Sequence, residues 1–356
     1  MGDYPSRSEN ATAGDLGVTE SHTRAAGLGV SPSSYEEPPF GGGGALPRKK
    51  RFSMESGFRG LSVGAGAMVL VIIVAIAVFL ISKAAPAISA DKENFLTFKQ
   101  WFPNETEPRF GIAALAFGTV LTSVIALLVA VPIALGIALF LSHYAPKRLA
   151  TPLGFVIDLL AAVPSVVFGL WGRDVFMEPV RNFSEWLNKY FSWIPIFGGD
   201  GPFGRSVLLG SLVLAIMVLP IVTSLSREVF LQTPGMNEEA ALALGATKWE
   251  MIRTAVLPYG KPGVIASVML GLGRALGETI ALALTLGVVF NISFNVIENG
   301  GNSIAANIAN AFGEANETGR GALIASGLVL FAITLVVNMA ARAIIYRRRE
   351  FRDSAA

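Results

Sequence analysis

The sequence predicts an all-α membrane protein with six transmembrane helices, and three observations predict it. Of 356 residues, 52% are hydrophobic and 15% charged, against about 25% charged in an ordinary soluble domain. The mean hydropathy is +0.56, and the apolar residues gather in runs of about twenty, the length that crosses a hydrocarbon layer. Lys and Arg are divided unequally between alternate connections, as in multi-spanning proteins. This composition excludes a soluble enzyme, a disordered scaffold and a secreted disulfide domain. With no Cys, disulfides, thiolate chemistry and Cys-ligated metals are impossible, and His22 and His143 alone argue against a His-based metal site.

The elements follow in order. Residues 1–60 are rich in Gly, Ser, Pro, Glu and Arg, with a Gly41–Gly44 run. Up to about Ala45 they hold too little apolar surface to offset ordering entropy, so a disordered tail is expected. The basic run Arg48-Lys49-Lys50-Arg51 reads either as a flank that fixes topology or as a site for anionic lipid or a partner. The first span is Leu61–Ser82, whose 22 residues would rise about 33 Å as helix. An outer loop to about residue 110 completes that segment. The core, 111–347, carries a second span within Ile112–Leu141, a third over about Leu153–Trp171 and a fourth over about Ser206–Leu225. The fifth covers about Gly263–Phe290, the sixth about Gly321–Tyr346, and a short tail, 348–356, follows. Pro132, Pro164 and Pro220 fall inside spans two, three and four, where kinks are expected. In the outer loop 177–205, Phe183, Trp186, Tyr190, Phe191 and Trp193 are spaced for a short amphipathic helix or an aromatic belt.

With the N-terminus inside, the inner segments near the spans hold 16 Lys and Arg and the outer ones 9. The positive-inside rule therefore places both termini in the cytoplasm, which an even number of spans requires.

Several chemistries are missing. No G-x-x-x-x-G-K-[ST] occurs, so the chain has no P-loop of its own. The glycines of a G-x-G-x-x-G at Gly199, Gly201 and Gly204 enclose Pro202 and follow no strand, which rules out a dinucleotide site. No Ser-His-Asp set can assemble on one side of the membrane, which argues against a membrane-embedded hydrolase.

Two features stand out. The first is the inner connection 238–258. Glu238-Glu239-Ala240-Ala241-Leu242-Ala243-Leu244 joins strong helix formers to acidic residues near a helix start. Gly245 then permits a sharp turn. Lys248–Val256 forms a second short helix that Pro258 should end. A helix, a Gly turn and a helix presented to the cytoplasm exceed what connecting two spans requires, and read as a docking surface.

The second is Arg274 and Glu278 within the fifth span. An ionised side chain deep in a span costs roughly 2.5–3.5 kcal/mol on insertion scales. Four residues apart, the two share a helix face that must look into protein or a water-filled path. An internal ion pair is the alternative, weakened because Arg before Glu is the less favourable order. A guanidinium in a membrane path suits an anion with paired oxygens, such as a phosphate. Glu278 could orient Arg274 or reject a wrongly charged ligand. Gly273 and Gly277 form a small-xxx-small pair that permits close helix approach.

The 238–258 connection resembles the EAA loop of ABC importer permeases, E-A-A-x3-G-x9-I-x-L-P. Glu239, Ala240, Ala241, Gly245, Leu257 and Pro258 stand at its spacing, and Ala255 replaces its Ile. In that family the loop seats in a cleft of a cytoplasmic ATPase, which implies that Glu239 contacts the ATPase and Gly245 makes the turn. Gly271–Thr279, Gly118–Leu141 and Leu159–Gly172 are similar to the phosphate importer permeases of the Pst system, on the PstC rather than the PstA side. The resemblance covers about 60–347. It implies a type I ABC importer (MetI-like) permease fold in a bacterial inner membrane, non-catalytic itself, with Arg274 and Glu278 at the family's charged positions. It also implies a PstA-like permease, a PstB-like ATPase dimer that binds ATP and Mg, a PstS-like phosphate-binding protein, inorganic phosphate as cargo, and no nucleic acid. Arg173 and Asp174 stand where the family is more apolar, either at the outer mouth or as a solvated pair. Two rival readings remain: a permease for molybdate, sulfate or phosphonate, and an ion-coupled secondary transporter, which has no reason to carry the 238–258 loop.

Overall fold

The computed structural model describes the backbone of residues 54–199 and 201–353 and the side chains of 57–199 and 201–343. The expected tail, with Gly41–Gly44 and Arg48–Arg51, lies outside the described residues. The chain divides into two units, Met1–Ser62 and Val63–Ala356. Of the first unit only the opening turns of a helix are described, and the architecture below is that of the second.

Helix α1, Met54–Ala90, outlasts the expected first span at both ends and runs on through Pro86. No residue of its most apolar stretch is buried against the rest of the chain. A two-residue hairpin follows, β1 (Trp101–Phe102) with β2 (Arg109–Phe110), Trp101 opposite Phe110. Phe110 is fully buried, edge-on to Phe95 at 5.9 Å and to Trp101 at 5.6 Å between ring centroids.

Helix α2, Ala113–Leu139, ends in a π-turn, Phe140–Tyr144. Its Ala126, Ala130, Ala134 and Ala138 recur every four residues and are all fully buried. That ridge of small side chains lies on one helix face, and among apolar spans small residues are what let backbones approach. Helix α3, Lys147–Ala161, and α4, Ser165–Trp171, replace the single third span; a π-turn, Gly172–Phe176, and α5, Met177–Phe191, continue α4. The two arms meet at 88°. Pro164 breaks this span rather than kinking it: the ring cannot donate and disfavours helix at the residue before it, so Pro164 stands as the N-cap of α4. Helix α5 is the expected amphipathic helix, with Val180, Ser184 and Leu187 buried and Phe183, Trp186 and Tyr190 exposed.

Helix α6, Val207–Leu231, starts where the Ser206 hydroxyl accepts from the Leu209 amide at 3.2 Å. It is the most enclosed span, with 67% of its apolar stretch buried. Both α2 and α6 run on through Pro132 and Pro220. Then come α7, Gly235–Ala243; α8, Lys248–Met251; a π-turn, Ile252–Val256; and α9, Leu257–Leu276. The fifth span thus begins earlier than expected and stops at Leu276. Pro258 does not end a helix, because it lies in the first turn of α9, where a missing amide costs nothing and the preceding π-turn leaves room for the ring. Short helices α10, Ile280–Thr285, and α11, Ile304–Ala311, precede α12, Glu317–Asp353, which runs past the expected end of the sixth span.

The core lies where α2, α6, α9 and α10 pack, around Leu214, Val218, Val222, Ala275 and Leu282. On α9, Gly260, Gly263, Ser267 and Gly271 face α6. A Cβ on Gly263 would reach Val229 at 2.6 Å, and one on Gly271 would reach Val218 at 2.8 Å. The Ser267 and Ser226 hydroxyls bond across the two helices at 2.8 Å, polar glue of the kind that holds spans together. Close approach therefore runs along this stripe and not along Gly273 and Gly277, where an added Cβ meets no neighbouring helix. At one end of the bundle, Leu208 N–H donates to Val296 O (2.8 Å) and Gly300 N–H to Arg205 O (2.9 Å), lacing the loops on either side of α6 and α10. Among the described residues, five helices are long and apolar enough to cross a membrane, or six if the bent pair counts as one span.

Candidate translocation path and coupling surface

Helix α7 has no buried residue, so the turn that follows it is set by local bonds. Gly245 adopts φ +84°, a left-handed conformation natural to glycine. The Ala246 N–H donates to Ala241 O at 3.2 Å and the Gly245 N–H to Leu242 O at 2.9 Å, the paired bonds of a Schellman cap. Two residues on, the Glu250 carboxylate accepts from the Thr247 N–H at 2.7 Å and the Glu250 N–H donates to the Thr247 hydroxyl at 3.4 Å. This capping box starts α8 at once. Its signature, Thr247-Lys248-Trp249-Glu250, stands plainly in the sequence, overshadowed there by the Gly turn before it and Pro258 after it.

The expected coupling residues form one unit. Glu239 and Ala240 are exposed on α7. Ala240, Ala241 and Pro258 line a shallow groove of about 340 Å³ together with Ala255 and Tyr259. Leu257 packs against a core of Phe230, Met251, Ile252 and Val256. Around the turn, Met236 (77% exposed), Leu244 (90%) and Trp249 (54%) are left largely uncovered by the described residues. Exposed apolar side chains around a doubly capped, rigid turn are what a docking surface needs.

The charged pair is arranged differently from the expectation. Helix α9 stops at Leu276 and Gly277 caps it, with its N–H donating to Gly273 O at 3.3 Å. Arg274 and Glu278 therefore do not share a helix face, and among the described residues neither enters an ion pair within 4.0 Å. The cause is Gly277, which supports helix poorly and sits between them. Glu278 is buried, and its Oε1 accepts from the Ala281 N–H at 3.2 Å, so the carboxyl group serves an open amide at the start of α10. Arg274 is left exposed on the last turn of α9. Arg173 and Asp174 bond to each other at 2.7 Å, both exposed, on the π-turn before α5.

Chemically, the arrangement offers one uncommitted guanidinium at a helix break, a buried carboxylate already bonded beside it, and an exposed apolar turn. Among the described residues no cluster of three metal-ligating side chains occurs.

Residues 130–350 match the family of binding-protein-dependent transport system inner membrane components. The phosphate transport system permease protein PstC 2 of Mycobacterium tuberculosis is 46% identical over 292 residues, covering 81% of this chain and 90% of that protein. The PstC of Xylella fastidiosa is 40% identical over 294 residues, covering 82% and 90%. Among solved structures, a chain of a bacterial ABC transporter that imports the acidic polysaccharide alginate aligns over 80% of this chain and 95% of that one, at 16% identity and a TM-score of 0.48. The fold and site define a multi-pass inner-membrane permease subunit of the type I ABC importer fold. The chain belongs to the PstC family of phosphate transport system permease proteins.

Proposed function

We propose that this chain forms half of an ATP-driven import path for inorganic phosphate and couples that path to a cytoplasmic ATPase. The observation that carries the coupling is the exposed helix–turn–helix of α7 and α8, fixed by a Schellman cap and a capping box and rimmed by Met236, Leu244 and Trp249. Its relatives bear the name of phosphate permeases, which supports phosphate as cargo.

In this reading both termini and the 238–258 turn face the cytoplasm. Glu239 meets the ATPase, Gly245 holds the turn, and Ala240, Ala241, Leu257 and Pro258 shape the groove and its anchor. The chain pairs with a PstA-like permease and receives phosphate from a PstS-like binding protein. Two PstB-like ATPase subunits bind the ATP and Mg, and their closure drives alternating access. Arg274, with no partner among the described residues, presents its fork of donors to the paired oxygens of the anion or to a group on the partner permease. Glu278, held by α10, sets a negative charge beside the path that disfavours a second bound anion.

The test is ATP-dependent uptake of labelled phosphate by the reconstituted four-component complex, with excess sulfate or molybdate as competitor. Uptake that needs ATP and survives both competitors is expected. Uptake abolished by sulfate or molybdate, or driven by an ion gradient with this chain alone, contradicts the reading.

A further inference from the structure

Helix α7 buries no residue of its own, so something outside it must fix its direction. Ala241 packs on the core of Met251, Ile252 and Val256, and the π-turn at the end of α2 adds one contact to α7 and one to α8. The His143 imidazole is 7% exposed and its Nε2 lies 3.4 Å from Glu238 Oε1 in the first turn of α7. A carboxylate only accepts, which assigns the proton to Nε2. Nδ1 lies 2.7 Å from the Ser142 hydroxyl, which can donate to it and hold the ring. The next residue, Tyr144, presents its ring to Lys248 Nζ at 4.9 Å from the centroid, and Lys248 opens α8. The two contacts thus straddle the Gly245 turn, one on each helix. Their base is stiff: Ala145 N–H closes the π-turn onto Phe140 O at 2.8 Å, and Ala138 of α2 shares a buried core with Met251, Ile252 and Val256.

The other end of α2 is tied as firmly. Thr119 Oγ1 accepts from the Ile304 N–H at 2.9 Å, and the Asn302 carbonyl lies against Gly118. From Thr119 to His143 a helix at 1.5 Å per residue spans about 36 Å. One continuous element therefore joins the turn to the 286–303 loop and the start of α11 at the far end of the bundle.

We propose that His143 and Tyr144 are positioning residues that pass displacement of the 238–258 turn into α2, beside the covalent route into α9, and so move the far loop. This rests on the reading of that turn as the ATPase contact. A helix reached only through α9 needs no clasp on α2; a clasp of one hydrogen bond and one cation–ring contact, on adjacent residues and opposite sides of the turn, makes turn and rod move together.

The test uses the full reconstituted complex and reads phosphate taken up per ATP hydrolysed, with co-purification of the ATPase measured alongside. In the double variant His143→Ala with Tyr144→Leu, the ATPase still co-purifies and hydrolyses ATP, while uptake per ATP falls about threefold or more, a size typical of residues that carry coupling. His143→Gln with Tyr144 intact, which keeps a donor toward Glu238, restores most of the ratio. An unchanged ratio in the double variant overturns the proposal, as does a loss confined to ATPase co-purification. Should that variant fail to accumulate, Lys248→Met removes the cation from the exposed side, and the same ratio decides. A wild-type complex that moves no phosphate with ATP fails the functional reading itself; a working wild type with indifferent variants fails the clasp alone.

Discussion

Arg274 shows how one residue between two charges changes their relation. Sequence spacing puts Arg274 and Glu278 on one face of one helix. Gly277 ends that helix at Leu276, so Glu278 turns to the Ala281 amide and Arg274 stands without a partner among the described residues. The charges were legible as exceptional because so few occur in the apolar part of the chain. Their separation was not, because a helix end inside a hydrophobic run leaves no mark except Gly, which also serves packing. The stripe Gly260, Gly263, Ser267 and Gly271 was equally readable at helical spacing, but Gly273 and Gly277 beside the charges carry the same small-residue signal. The observed geometry sharpens one prediction. Arg274→Gln removes a charge that no described group relies on, so no buried partner is orphaned. Phosphate uptake is expected to fall to background while yield of the assembled complex, read by size-exclusion chromatography, stays at the wild-type level. Normal uptake would remove Arg274 from the path.

At the scale of elements, the helix–turn–helix was the most legible part because its signals are local. Acidic residues at a helix start, an Ala-rich run, Gly at the turn and Thr-x-x-Glu after it each act within four residues. The caps observed at Gly245 and Thr247 are what those residues specify. Expectation and structure part where backbone geometry over a longer stretch decides. Pro164 stops α3 and starts α4 at 88°, whereas Pro132 and Pro220 leave α2 and α6 running and Pro258 sits harmlessly in a first turn. Four prolines in apolar runs look alike in sequence; what separates them is where each falls, Pro164 as an N-cap, Pro258 in a first turn, and Pro132 and Pro220 in helix interiors. The capping box gives an element-scale prediction. Thr247→Ala removes a hydroxyl acceptor at the start of α8, a loss worth about 1 kcal/mol. Amide hydrogen exchange over 248–251 is expected to speed up about fivefold, with exchange in α6 unchanged. Equal rates in variant and wild type would mean that the core under Met251 and Ile252, not the cap, fixes α8.

At the scale of the molecule, two kinds of surface remain uncovered. Helix α1 offers an apolar stretch with no residue buried, as suits a span that faces lipid. The α7–α8 turn offers apolar side chains at a bundle end, where lipid does not explain them. The spans follow from hydropathy, which counts six where the described helices give five, or six with the bent pair as one, and the family follows from the 238–258 spacing together with the relatives at 40–46% identity. What composition could not show is how the turn is held, because the partners His143 and Glu238 lie 95 residues apart in sequence. The central claim is that this turn receives the ATPase and that its motion drives phosphate through the path. The most direct measurement is ATP-dependent uptake of labelled phosphate by proteoliposomes carrying the complete complex, wild type against Glu239→Lys, with ATPase co-purification measured on the same preparations. The account predicts that Glu239→Lys lowers uptake and ATPase retention together, each by about tenfold, the change produced by about 1.4 kcal/mol of lost docking energy. Uptake and retention both equal to wild type would contradict it.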